Sequence, residues 1–440
     1  MLLEFRASNY KSFQEELVFS LIPAPKQKGL DYSVLKILAD KKQYKGLCSA
    51  VIYGPNASGK TNIISAMDAF KSIVLRGNIR NDANSVEPNV AARMLQLIPN
   101  YANSVPKPVM FSITFIESGL HINYSFSLDI GGFMDSEYKR KVLSESLKIN
   151  KNLIFDRNEG LYFNSLEKIQ DFFVNALEQN IDSAIELAKS NLHDEELFLA
   201  NGFKTMFSSR LVAIITDWLE KKFMVIYRAD SMRIIRKFSD PKEDSIYIEK
   251  TLTEAAGYFG LNSNALGYMF DRDTKDAMLY SIFQSNGKKK AIHAEVFESY
   301  GTIRFVNIFP LVMSALLNGG TLIVDEFDAS IHPMALMSII NIFHNDDINI
   351  NHAQLVFNTH NPIFLNPNVF RRDEIKFVDR NDDTNLSTLY SLSDFGTTGI
   401  KGVRKNEDYM KNYFIDRYGA IKDIDFTPVF ESLMDVGKVV

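Results

Sequence analysis

An α/β fold built on a mostly parallel sheet is what this sequence of 440 residues predicts, and three observations predict it. The apolar run Ala50-Val51-Ile52-Tyr53 enters a loop from Gly54 to Gly59. It leaves through Ile63, Ile64, Met67, Phe70, Ile73 and Val74, the spacing of an amphipathic helix. Beyond residue 290 strands alternate with helices: the pattern predicts helices at Phe305–Leu317 and Pro333–Phe343 and strands at Thr321–Val324, Gln354–Asn358 and Ile375–Val378. Phe111, Ile113 and Phe115 alternate with Ser112 and Thr114, and Tyr124, Phe126 and Leu128 with Ser125 and Ser127, about the turn Glu117-Ser118-Gly119. Period-two alternation of that kind makes an antiparallel hairpin with one buried face.

The chain begins with "MLLEFRASNYKSF", which alternates like a strand and lacks the basic-then-apolar order of a secretion signal. A second hairpin is expected at Ile154-Phe155 and Leu161-Tyr162-Phe163, turning through Asn158-Glu159-Gly160. At Asn164 the texture changes: Glu167 follows three residues later and apolar residues recur at helical spacing as far as about Phe223. The predicted division is therefore 1–163 and 291–440 as two halves of one nucleotide-binding head, split by a mainly helical insertion over 164–290. The Asn- and Pro-rich stretch from Arg76 to Val105 is the candidate mobile segment.

Composition narrows the class. With 46% hydrophobic and 12% aromatic residues the chain has ample material for a large core. A net charge of -5 gives no global nucleic-acid signature, leaving Lys288-Lys289-Lys290 and Arg371-Arg372 as local candidate contacts. The one cysteine, Cys48, excludes a disulfide framework and any multi-cysteine metal site and reads as an inert core thiol. The longest apolar region, Phe305 to Leu317, is broken by Asn307 and Pro310, so no membrane span and a cytoplasmic location are expected.

The loop "GPNASGKT" carries the first chemistry. Glycines allow backbone angles closed to other residues, so that successive N–H groups and the positive end of the next helix converge on one anion. Lys60 is placed to reach the β- and γ-phosphates of ATP, and Thr61 to ligate Mg²⁺. In "TLIVDEFDASIHP" the apolar strand ends in Asp325 and Glu326. The first suits the Mg²⁺ shell and the second can polarise an attacking water. "LVFNTHNP" puts His360 at the carboxyl end of a neighbouring strand, where an imidazole can hold the γ-phosphate or the water. "FESYGTIRF" places Ser299 and Gly301 at a helix start, a second anion-binding element in the same chain.

In this order the motifs resemble the ATP-binding-cassette ATPases of the SMC, Rad50 and RecF type, and more closely the AAA-15 group of stand-alone bacterial ATPases, which includes RloA-like, abortive-infection and PARIS-type anti-phage proteins. The resemblance extends from "MLLEFRASNYKSF" through "KVLSESLKI" and "LIFDR" to "DEIKFVDR", "LYSLSDF" and "DRYGAI". It implies an ABC-type ATPase head, a mixed sheet flanked by helices plus an antiparallel β lobe. Gly54, Gly59, Lys60 and Thr61 fall on the Walker A loop, with Asn56 and Asn62 beside the nucleotide. Asp325 and Glu326 fall on Walker B, Ser299 and Gly301 on the signature, Asp328 on the loop crossing the dimer interface and His360 on the switch histidine. Lys11 stands where relatives often carry an arginine near the nucleotide. Tyr300 fills a signature position that is often small, and no glutamine is assigned to the Q-loop, so slow or partner-dependent hydrolysis is expected.

The resemblance further implies a homodimer or higher homo-oligomer closed through ATP, the signature of one subunit completing the site of another. About eighty residues follow His360, fewer than a usual nuclease domain, and Asp423 and Asp425 alone do not make a nuclease site. The expected function is an ATP-binding and ATP-hydrolysing switch in anti-phage defence that holds or releases a separately encoded toxin or nuclease. The alternative is a RecF-like ATPase of genome maintenance that binds DNA directly.

Overall fold

Two sheets share one core. The first is antiparallel, with strand order β10-β9-β8-β7-β6-β1-β2. It is built from β1 (Leu2–Ser8), β2 (Leu17–Ser20), β6 (Val109–Glu117), β7 (Leu120–Asp129), β8 (Lys141–Ile149), β9 (Asn152–Arg157) and β10 (Leu161–Phe163). The second has order β11-β16-β17-β5-β18-β19 and is parallel except for its last strand. It contains β5 (Ser49–Tyr53), β11 (Phe223–Ile226), β16 (Thr321–Val324), β17 (Gln354–Asn358), β18 (Ile375–Arg380) and β19 (Ser387–Ser391). The computed structural model describes residues 1–25, 27, 29–80, 97–135, 138–173, 181–227, 246–270, 277–397, 402–405, 407–422 and 424–436. Most of the stretch singled out between Arg76 and Val105, and Asp423, lie outside the described residues.

Helix α1 (Lys60–Arg76) lies between the sheets, and the apolar stripe read from sequence is the face it buries. Phe70 anchors it, its ring stacked on Phe126 at 5.3 Å and 7° and edge-on to Phe5 at 5.9 Å. Removing a fully buried aromatic leaves a cavity, so Phe70→Ala is expected to lower unfolding free energy by about 3–5 kcal/mol. A denaturant titration whose midpoint fails to fall would contradict this packing.

Gln354 joins the sheets at their far edge. It is fully buried, accepts from Leu2 N at 2.6 Å, and donates to Leu2 O at 3.0 Å and Leu47 O at 2.8 Å. One buried amide thus satisfies backbone groups that neither sheet ladder reaches.

The stretch 164–290, expected to be mainly helical, divides in two. Its first part is helical up to Lys222 but is not a separate body: Leu197, Leu199 and Trp218 belong to the core formed by α1 and the antiparallel sheet, and Trp218 stacks on Phe115 at 3.9 Å. At Asn164 the helix start is a 3₁₀ segment, Leu166–Phe172, with no side-chain cap, and Phe223 opens strand β11. The second part carries helix Lys250–Phe259 on a four-stranded antiparallel sheet, β12 (Ile246–Ile248), β13 (Ala265–Phe270), β14 (Ala277–Ser285) and β15 (Lys288–His293). The boundary drawn at 290 therefore falls inside β15. Of the local basic candidates, Lys288, Lys289 and Lys290 are exposed. Arg371 and Arg372 are buried instead, the first paired with Asp373 at 2.9 Å and the second donating to Gly396 O and Val403 O at 2.5 Å. They hold the chain together and are not a contact surface.

Among the described residues one helix, Tyr300–Asn318, is long and apolar enough to cross a membrane by length and composition. It packs on β16 and buries Arg304, Phe305, Val306 and Ile308 within the head.

Candidate functional site

The parallel order places β17 between β5 and β16, so the glycine loop after β5, the acids after β16 and the polar residues after β17 emerge at one sheet edge. Parallel strands end on the same side, and ligands bind at that carboxyl edge in open α/β sheets.

The loop is shaped by positions only glycine tolerates. Gly59 has φ +111°, and a Cβ there would lie 2.7 Å from both Ser12 Oγ and Ser387 Oγ. Those hydroxyls brace the loop: Asn62 Nδ2 donates to Ser12 Oγ at 2.7 Å, and Ser387 Oγ donates to Ser58 O at 2.5 Å. Arg380 Nη1 adds a bond to Ala57 O at 3.0 Å. Asn56 stands exposed on the crest. No side chain caps the start of α1, so its first N–H groups face the loop's concavity. That uncapped terminus fits a phosphate.

Lys60 Nζ donates to Gly54 O at 2.7 Å and Pro55 O at 2.9 Å. Burial lowers its pKa to about 8, with Asp325, Glu326 and Asp328 working the other way. In the ligand-free chain the ammonium is thus lost as pH rises through 8, whereas an adjacent phosphate favours the charged form. Nucleotide binding at pH 9 is expected to take up a proton, and at pH 7 none; by linkage affinity falls above pH 8. Calorimetry in two buffers of different ionisation heat measures the uptake, and equal apparent enthalpies at pH 9 would overturn the assignment. The same depression means that the cost of burying this cation is present below pH 8 and lifts between about 8 and the ordinary 10.5.

Thr61 Oγ1 donates to Asp325 Oδ1 at 3.0 Å across 264 residues, pairing a hydroxyl with a buried carboxylate as a divalent ion with oxygen ligands requires. Asn358 Nδ2 donates to the same Oδ1 at 2.5 Å, and Asn358 Oδ1 accepts from Glu326 N. Glu326 has φ +50°, a left-handed conformation unfavourable for a side chain of this kind, and both its backbone groups are held: N–H by Asn358 and C=O by Arg304 Nη2 at 2.5 Å. Its carboxylate is left exposed beside the loop.

Thr359 Oγ1 donates to Asp328 Oδ2 at 2.6 Å, tying the segment after the acids to β17. His360 follows. Desolvation and the Lys60 charge hold it below its ordinary pKa, with Asp328 opposing, so its ring is neutral near pH 7. Lys11 lies further along α1: Nζ donates to Ser65 Oγ at 2.5 Å and sits 5.4 Å from the Tyr10 and Tyr227 ring centres.

Ser299 caps helix Tyr300–Asn318, its Oγ accepting from Thr302 N at 3.2 Å. Among the described residues no hydrogen bond joins Ser299 or Gly301 to the loop, although Arg304 of the same helix reaches Glu326. The expected residues thus form one assembled group, Lys60, Thr61, Asp325, Glu326, Asp328 and His360, with Ser299 and Gly301 set apart. Asn358, Arg304, Ser12 and Ser387 were not singled out from sequence. The only local signal was for Asn358, a polar residue ending the apolar run Leu355-Val356-Phe357.

This fold and site define a nucleotide-binding domain of the ATPase class. The chain belongs to the family described as "AAA domain, putative AbiEii toxin, Type IV TA system", which it matches over residues 49–366, more than half its length. Against curated proteins no match is found. Among solved structures it is similar to the "Crystal structure of the SmcHead bound to the C-winged helix domain of ScpA", at 12% identity over 89% of this chain and 97% of that one, with a TM-score of 0.37. A likeness this distant assigns no residue.

Proposed function

We propose that the protein is an ATP-driven switch that closes as a homo-oligomer and controls a separately encoded effector, a toxin or nuclease, in anti-phage defence. One observation carries the reading: the loop and acids are assembled within one chain while Ser299 and Gly301, at an exposed helix start, make no hydrogen bond to them among the described residues. A second subunit bringing that helix would complete the site, so occupancy and association become one equilibrium.

The uncapped α1 start and Lys60 would hold the phosphates of ATP, and Thr61 and Asp325 a Mg²⁺ ion. When bound, that ion supplies charge neutralisation for phosphoryl transfer. Glu326 would orient and deprotonate a water, and neutral His360 would hold it. Hydrolysis is expected to be slow, since the site is incomplete in one chain. The family's description as toxin-related supports the defence role.

Co-expression with the product of the neighbouring gene tests the proposal. Co-purification that changes with ATP, together with ATP-dependent dimerisation by light scattering, is the expected result. A chain that stays monomeric with ATP and captures no encoded neighbour would defeat it. The exposed lysines 288–290 favour a second reading, direct DNA binding. Salt-sensitive DNA binding lost on charge reversal of those lysines, without any protein partner, would select it.

A further inference from the structure

Opposite the phosphate loop, roughly 17 Å away along the five residues of β5, three ligating side chains converge. Cys48 precedes β5, His344 ends the helix Pro333–Phe343, and Glu374 precedes β18; all three are buried. Glu374 Oε1 lies 3.6 Å from His344 Nε2 and 4.0 Å from Cys48 Sγ, and the three donor atoms fall within 4.8 Å of one another. At ordinary bond lengths a tetrahedral zinc ion separates its donors by about 3.3–3.6 Å, close to the Glu374–His344 separation and shorter than that of Glu374 and Cys48, so the donors would draw together about the ion. Sulfur, imidazole nitrogen and carboxylate oxygen together suit zinc, not magnesium or calcium.

A second observation points to the same place. Ser33 Oγ is fully buried and, among the described residues, has only the weak Cys48 thiol to bond. It lies against the Cys48 thiol, and its own carbonyl accepts from Cys48 N at 2.9 Å. Ser49 Oγ bridges two of the donors, donating to Glu374 Oε1 at 2.6 Å and lying 2.9 Å from His344 Nε2, bonds that a bound ion would replace, while Glu374 Oε2 is held by Arg371 N at 2.8 Å. The short turn Asp31–Ser33 roofs the cluster, the Tyr32 ring 5.4 Å from that of His344.

We propose that Cys48, His344 and Glu374, completed by the Ser33 hydroxyl, form a structural zinc site that fastens the start of β5 to its neighbours. Without an ion the same residues would be a buried polar network, and metal content separates the two. The full chain, grown with zinc and dialysed, is expected to hold about one zinc per chain. Lys60→Ala, altered only at the nucleotide site, should retain it, and Cys48→Ser should hold less than a tenth. Cobalt(II) exchange should give a thiolate-to-cobalt absorption band, which in a chain with a single cysteine reports Cys48 even if Cys48→Ser does not fold. Wild-type protein that takes up neither metal stoichiometrically, or a folded Cys48→Ser that keeps its zinc, would overturn the proposal.

Discussion

Glu326→Gln is expected to slow nucleotide turnover by about 10²–10⁴-fold while leaving nucleotide affinity within a few-fold, because it removes a base and keeps the shape. The expectation rests on the separation of roles at the end of β16. Asp325 is buried and bonded to Thr61 and Asn358, whereas the Glu326 carboxylate is exposed beside Lys60 with its backbone clamped on both sides. Glutamine preserves that clamp, since neither backbone bond uses the carboxylate. The variant should bind nucleotide and accumulate in the closed, associated form. Phosphate release measured at saturating ATP decides it: a rate within a few-fold of wild type would remove Glu326 from the chemistry.

Asn358→Leu should also slow turnover, without the residue touching any substrate. Its amide donates to Asp325 and accepts from Glu326 N, so the substitution leaves the Glu326 N–H without that acceptor and strips a donor from a buried carboxylate. Each such loss costs about 1–3 kcal/mol. The left-handed Glu326 also loses one of the two bonds that hold it. The expected outcome is a lower melting temperature and a turnover loss of tenfold or more, accompanied by weaker activation by Mg²⁺. Glu326→Gln should leave the melting temperature near wild type, so the pair separates a positioning residue from a reacting one. An Asn358→Leu protein with normal stability and normal Mg²⁺ dependence would show that the bridge does not position the acids.

The elements that carry the site were legible because their signals are local. The stripe Ile63 to Val74 has the period of a helix, the run Thr321 to Val324 is apolar throughout, and both elements form where expected. The region 246–293 was misread because the alternation of its strands is weak. β15, with Lys288-Lys289-Lys290, is exposed on both faces at a sheet edge and has no buried period to detect. Arg371 and Arg372 looked like surface charge because nothing near them in sequence says that they will be buried, Arg372 against the carbonyls of Gly396 and Val403.

By itself the sequence determined the loop, its helix, the acid-ended strand and the α/β class, since backbone freedom at glycine and side-chain periodicity are properties of a few consecutive residues. Only the tertiary structure decided that β17 lies between the loop strand and the acid strand. From that order follow the Thr61–Asp325 bond, the Asn358 bridge, the Ser12 and Ser387 brace that leaves no room for a side chain at Gly59, and the meeting of Cys48 with His344 and Glu374. These partners lie tens to hundreds of residues apart, and strand order and packing bring them within bonding distance in ways no local preference encodes.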